Sequence, residues 1–315
     1  MNSKNLYFTA FLISLLTYSC GDIFEKNLAK EPVSLLAPTN NYQTTTFTQS
    51  FWWEEIKGAS NYHLQIVSPA FSNINQIILD TTITDNLYTY TLNPGSYQWR
   101  VKAINGSSNT AYTTYTLTID TTSDLTNQII ALQEPINNLY TNILNQTLKW
   151  QSLSIATSYT IQVAITNFLF SSNIIFDTTI TTNSINFSFP QDYIYQWRVK
   201  AVNATGSSNF SNPYNLEVDV TIPNTPLLLK PENQDSVSAP FTLYWHRGNS
   251  TGSPISDSLF VYSDSLITLI NSIKTSNTSY PIDSLTTGPY FWRVRSQDAA
   301  GNISPYSITK KFIVQ

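Results

Sequence analysis

The sequence predicts an all-β protein made of β-sandwiches in tandem, and three features predict it: its composition, a period-two hydrophobic pattern and a long internal repeat. Charged residues are only 11% of the 315-residue chain, whereas 41% is hydrophobic and 13% aromatic. Ser, Thr and Asn supply the polarity instead. They suit turns and outward strand positions, and Ser and Asn are poor in helix interiors. So many rings argue against disorder, which goes with few aromatics and high net charge.

The repeat is clearest at the tryptophans. F-W-W-E-E at 51–55, L-K-W-Q-S at 148–152 and L-Y-W-H-R at 243–247 align on Trp53, Trp150 and Trp245, spaced 97 and 95 residues apart. N-Y-H-L-Q-I-V at 61–67 matches S-Y-T-I-Q-V-A at 158–164, and I-L-D-T-T-I-T at 78–84 matches I-F-D-T-T-I-T at 175–181. Y-Q-W-R-V-K-A-I-N at 97–105 returns as Y-Q-W-R-V-K-A-V-N at 195–203 and Y-F-W-R-V-R-S-Q-D at 290–298. The first two copies are close duplicates, and the third diverges around 255–280. A unit this long is a whole domain, not a solenoid turn.

Inside the unit the period is two. Tyr97, Trp99, Val101 and Ala103 fall on one face of a strand, and Gln98, Arg100 and Lys102 on the other. The first copy reads as strands near 33–37, 48–54, 60–67, 75–81, 87–92, 96–104 and 112–120. Turn chemistry separates them, as in Asn93-Pro94-Gly95 and Asn105-Gly106-Ser107-Ser108. Seven short strands with inward rings fit a two-sheet sandwich. A polar linker over 121–128 and a shorter one over 220–226, stiffened by Pro223 and Pro226, give expected domains at 33–120, 129–220 and 224–315.

The N-terminus reads as an address. Lys4 precedes an apolar run over 6–16, too short to span a bilayer and suited to the core of a signal peptide over 1–19. Thr17-Tyr18-Ser19-Cys20-Gly21 follows, and Cys20 is the only cysteine of the chain. This resembles a bacterial lipobox, where cleavage before the cysteine leaves it to be acylated. The alternative is an ordinary secretory signal with an incidental cysteine. Each buried acyl CH₂ is worth about 0.8 kcal/mol, so several chains on Cys20 would anchor firmly. Residues 20–32 would be the tether, and Asp22 and Glu25 resemble the acidic surface-export signal of Bacteroidota lipoproteins. The expected location is the bacterial cell envelope, lipid-anchored at the outer membrane, on its surface or periplasmic face.

A Trp on the second strand, then Leu92-Asn93-Pro94-Gly95, then Tyr-x-Trp-x-Val-x-Ala and an Asn-Gly-Ser-Ser loop resemble a fibronectin type III domain. The W-R-V-R-S-Q-D-A-A-G-N-I-S run at 292–304 resembles bacterial members of that superfamily. The resemblance covers about 33–315 and implies three tandem immunoglobulin-like sandwiches. It also implies that Tyr97, Tyr195 and Tyr290 close the corner before the sixth strand.

Little in the chain points to catalysis. Nucleophile elbows, phosphate loops and zinc cysteine patterns are missing from the sequence. His63 and His246 fall in different copies without metal spacing and read as outward strand residues, so no metal or other cofactor is expected. Asp80 and Asp177 recur beside Thr and read as turn caps. Asp298 and Asn302 read as a turn, and Arg100, Arg198 and Arg293 as a solvated face. The loops at 105–111, 203–212 and 298–305 carry the adaptable polar and aromatic mixture of binding loops. Their candidate contact residues are Asn105, Ser107, Ser108, Asn109, Ser207, Ser208, Asn209, Phe210, Asn302 and Tyr306.

A net charge of −4 and the lack of a basic run argue against nucleic acid as a partner. The expected function is therefore a non-catalytic adhesion, binding or spacer lipoprotein with a protein or glycan ligand, membrane-bound through lipid alone. An accessory glycan-binding lipoprotein of a polysaccharide-uptake system is the alternative.

Overall fold

The computed structural model describes residues 25–248 and 252–315. The expected signal peptide and Cys20 lie outside the described residues. The first copy supplies eight strands: β1 (Leu35–Ala37), β2 (Tyr42–Thr44), β3 (Thr48–Trp53), β4 (Asn61–Ala70), β5 (Asn73–Ile83), β6 (Leu87–Thr91), β7 (Gly95–Ile104) and β8 (Thr113–Ile119). The second supplies nine: β9 (Leu132–Glu134), β10 (Leu139–Thr141), β11 (Asn145–Trp150), β12 (Ser158–Ile165), β13 (Ile174–Ile180), β14 (Ser184–Ser188), β15 (Tyr193–Asn203), the short β16 (Gly206–Ser207) and β17 (Tyr214–Val218). The third supplies β18 (Leu227–Lys230), β19 (Asp235–Val237), β20 (Phe241–His246), β21 (Ile255–Tyr262), β22 (Leu269–Thr275), β23 (Ser279–Ile282), β24 (Gly288–Asp298) and β25 (Lys310–Val314).

These strands form six sheets, two for each copy of the repeat. The smaller sheets have the orders β1-β3-β6, β14-β11-β9 and β18-β20-β23. The larger ones run β2-β8-β7-β4-β5, β10-β17-β15-β12-β13 and β19-β25-β24-β21-β22, with β16 beside β15. Each copy is thus a two-sheet sandwich, as the alternation predicts, with an immunoglobulin-like strand order.

Register places the rings inward, as the period-two reading requires. Ile66 pairs with Trp99, Val163 with Trp197 and Val261 with Trp292. The side chains of Trp53, Trp99, Trp150, Trp197 and Trp292 are fully buried. Phe51 meets Trp99 edge-on at 5.1 Å, and Trp53 and Trp150 meet Tyr62 and Tyr159 at 5.5 and 5.6 Å. Such pairs are worth about 0.5–1.5 kcal/mol beyond area burial. The expected tyrosine corner is present where Tyr195 donates to Gln191 O at 2.9 Å and Tyr290 to Thr286 O at 2.8 Å.

Two features differ from expectation. The short strands β2, β10 and β19 were not expected; β10 and β19 run parallel to β17 and β25. Within the expected polar linker over 121–128, Leu125 and Gln128 are buried. Gln128 accepts from Phe47 N at 2.9 Å and donates to Thr45 O at 2.8 Å. Such ties explain the division into compact units. Among the described residues, one contains 25–42, Ser50–Tyr88 and Ser96–Thr118, and the other contains Gln43–Gln49, Thr89–Gly95 and those from Ile119 to Gln315.

Candidate functional site: outer sheet faces and the loops after the seventh strand

Strand alternation turns Arg100, Arg198 and Arg293 outward, yet none is simply solvated. The guanidinium of Arg100 lies 3.9 Å from the Phe71 ring and 4.0 Å from Tyr112. Arg198 lies 4.0 Å from Phe168 and 4.2 Å from Phe210, and Arg293 lies 3.8 Å from Tyr306. The rings come from the hairpin after the fourth strand or from the segment just before the last one. A cation over a ring face is worth about 0.5–2 kcal/mol, rising as water is excluded. The solvated-face expectation is thus corrected, because flat weakly hydrated guanidinium groups stack where ammonium groups would stay wet.

Hydrogen bonds back these stacks. Arg100 Nε donates to Gln65 Oε1 at 2.8 Å, and Gln65 Nε2 donates to Asp80 Oδ2 at 2.7 Å. In the second copy Arg198 Nη2 donates to Gln162 Oε1 at 2.7 Å, and Gln162 Nε2 to Asp177 Oδ2 at 2.8 Å. Asp80 and Asp177 are therefore not turn caps. They sit within β5 and β13, opposite Gln65 and Gln162. In the first copy alone the chain continues: His63 Nε2 meets Asp80 Oδ1 at 2.6 Å and His63 Nδ1 meets the Tyr112 hydroxyl at 2.5 Å. The Gln65 bond, and then His63, hold the Asp80 carboxyl below its usual value. Burial pushes the Tyr112 hydroxyl up. In the second copy Thr160 and Phe210 replace His63 and Tyr112 together, so hydroxyl and imidazole are lost as a pair.

The loops expected to bind a ligand are largely occupied. Asn105 is buried and donates to Lys26 O at 2.7 Å and Gly58 O at 3.1 Å. Its Oδ1 accepts from the backbone of Ser107 and Ser108, and Ser108 Oγ accepts from Leu28 N at 2.9 Å. Asn203, which sequence reasoning missed, does the same, donating to Ser123 O and Ile155 O at 3.1 Å each. The third copy carries Asp298 at that position, and a carboxylate cannot donate. Asn302 takes over: held by Asp298 Oδ2 at 2.8 Å, it donates to Asp219 O at 2.7 Å. Each copy thus grips the chain segment that enters it.

Of the remaining candidates, Ser208 is buried and its Oγ accepts from Ala201 N at 3.0 Å. Phe210 and Tyr306 are the ring faces over Arg198 and Arg293. Ser107, Asn109, Ser207 and Asn209 are exposed. The Asp298–Asn302 turn forms as expected, closed by Asn302 N on Asp298 Oδ1 at 2.8 Å.

No protein-family model and no curated protein matches this chain. Among solved structures, the FN1-FN3 domains of chicken CNTN1 align over 89% of this chain and 96% of theirs, at 15% identity and a TM-score of 0.39. The fibronectin(III)-like modules of CbhA from Clostridium thermocellum align over 59% of this chain and 94% of theirs, at 13% identity and a TM-score of 0.38. The repeated sheet order and the tyrosine corners identify the fold: the described chain is a tandem of fibronectin type III-like β-sandwiches.

Proposed function

We propose that this chain is a non-catalytic spacer and binding module of a bacterial cell envelope, held to the membrane by lipid on Cys20. The observation that carries the spacer reading is the asparagine tie, repeated at Asn105, Asn203 and Asn302. A loop engaged this way steadies the incoming chain, as a spacer needs, and leaves less of itself for a ligand. The anchor reading rests on the lone Cys20 at the end of an apolar leader.

The test joins both parts. Mass spectrometry of the mature chain from membranes should find an acylated Cys20 at its N-terminus, and Cys20→Ala should release the protein. Asn203→Ala should speed amide exchange over residues 121–128 by about fivefold, matching one lost hydrogen bond of about 1 kcal/mol. An unacylated N-terminus would remove the anchor, and unchanged exchange would remove the tie.

One observation favours the glycan-binding reading. Trp52 and Tyr244 occupy matching strand positions, point outward from the smaller sheets and are each 47% exposed. Retention on insoluble polysaccharide that Trp52→Ala abolishes would select it.

A further inference from the structure

The two near-duplicate copies keep one interior but part company on an outer sheet face. In the second, Tyr140 on β10 lies opposite Glu217 on β17, and Glu217 lies opposite Ile194 on β15. Neighbouring strands are about 4.8 Å apart, so the three side chains form a row across the sheet. Tyr140 and Ile194 are exposed, and Glu217 is half-buried between them. A groove of about 170 Å³ runs past Asn138 and Asn215 on one side of the row. Another of about 290 Å³ runs past Asp192, Tyr193 and Asp219 on the other. The first copy has Gln43, Ser96 and Thr118 at the matching positions. These residues face outward, so core packing does not dictate the change.

The acids beside this row are one-sided in their partners: Asp192 and Asp219 line only the larger groove, whereas Glu217 lines both and meets Tyr140 in the smaller. Asp192 accepts from Val220 N at 2.9 Å and Thr221 Oγ1 at 2.6 Å. Asp219 accepts from Thr221 N, Ser253 N and Ser253 Oγ at 3.0, 2.7 and 2.8 Å. All these donors are neutral. Among the described residues no cation pairs with either carboxylate, and that of Glu217 has no hydrogen-bond partner. Burial, and then Asp219, push the Glu217 carboxyl above its usual value. A bare metal ion fits poorly, because among the described residues no three acidic, cysteine or imidazole side chains converge to hold one. The rest of the protein shows what does fit: three times a guanidinium lies against a ring face. In the first two copies an amide oxygen also holds its edge. The groove offers a ring and an acceptor without a cation of its own.

We propose that the Tyr140–Glu217–Ile194 groove binds an arginine or lysine side chain of an extended basic polypeptide. The charged head sits at Glu217 against the Tyr140 ring, and its aliphatic stem lies on Ile194. The proposal rests on the chain being a binding module and is independent of lipidation, so the loss of the anchor would leave it standing.

Fluorescence anisotropy of the full chain with a labelled Gly/Ser peptide bearing two arginines tests it. Binding should weaken at high salt, and by about two- to fivefold in Glu217→Gln and Tyr140→Ala. Glu134→Gln, an exposed carboxylate of the same copy, should bind as the parent does, and thermal melts should show each variant folded. Equal binding by Glu217→Gln, equal binding of an uncharged Gly/Ser peptide, or no binding at millimolar peptide would each overturn the proposal. So would a neutral oligosaccharide that occupies the groove without regard to salt or to Glu217→Gln.

Discussion

The first two copies and the third fill one core position in opposite ways. In the first two, Tyr62 and Tyr159 lay their rings against Trp53 and Trp150, and each hydroxyl accepts from a loop amide: Ile56 N at 2.8 Å and Leu153 N at 2.9 Å. In the third, strand register puts Asp257 there, fully buried. Its carboxylate accepts from the Trp245 indole, from Arg247 Nε at 2.7 Å and from Ser296 Oγ at 2.7 Å. The Trp53 and Trp150 indoles are buried without an acceptor, whereas Trp245 has one. The backbone therefore does not demand a ring at this site. It accepts any side chain whose own polar atoms find partners, and a charge meets that condition only when every partner is present.

The hardest test of this comparison is Asp257→Ala. It takes the acceptor at once from a buried indole, a buried hydroxyl and the Nε of the half-buried Arg247, and should cost the third sandwich about 3–5 kcal/mol, read from denaturant midpoints. Tyr62→Phe and Tyr159→Phe keep the ring and remove one acceptor, from the half-buried Ile56 amide and the buried Leu153 amide, so they should cost about 1 and about 1–3 kcal/mol. Faster exchange at the Ile56 or Leu153 amide would locate that loss. Equal penalties for Tyr159→Phe and Asp257→Ala would break the comparison.

The smallest effect belongs to a carboxylate outside the core. Asp80 is held below its usual value of 3.8 by Gln65 and His63. Its contribution is therefore present above the unfolded value and is lost as pH falls through the lower folded one. With the side chain 45% exposed, screening limits it to under about 1 kcal/mol. Asp80→Asn should flatten that acid limb in a melt-against-pH series.

The sandwich was legible because its core obeys a local rule. The alternation through Tyr97, Trp99, Val101 and Ala103 appears in the structure as read, all four buried. The strands β2, β10 and β19 were not legible, since three residues carry no period. The arginine stacks escaped for a different reason. Phe71 and Phe168 lie about thirty residues before Arg100 and Arg198, and strand pairing, not spacing, brings them together. Asp80 and Asp177 read as turn caps because Asp beside Thr suits one, but β5 and β13 run on through them. Asn105 and Asn302 were expected as ligand contacts in adaptable polar loops; each has an amide that both donates and accepts. It serves to hold a neighbouring backbone. Glu217 gave no sign at all, being one acid between apolar strand residues.

The parallel pairing of β10 with β17 and of β19 with β25 has a mechanical consequence. Those strands lie near the entry and the exit of their sandwiches and point the same way. Tension drawn along the chain would slide them past each other, loading the whole row of backbone bonds together in shear. An antiparallel pair pulled from one end opens bond by bond, like a zipper.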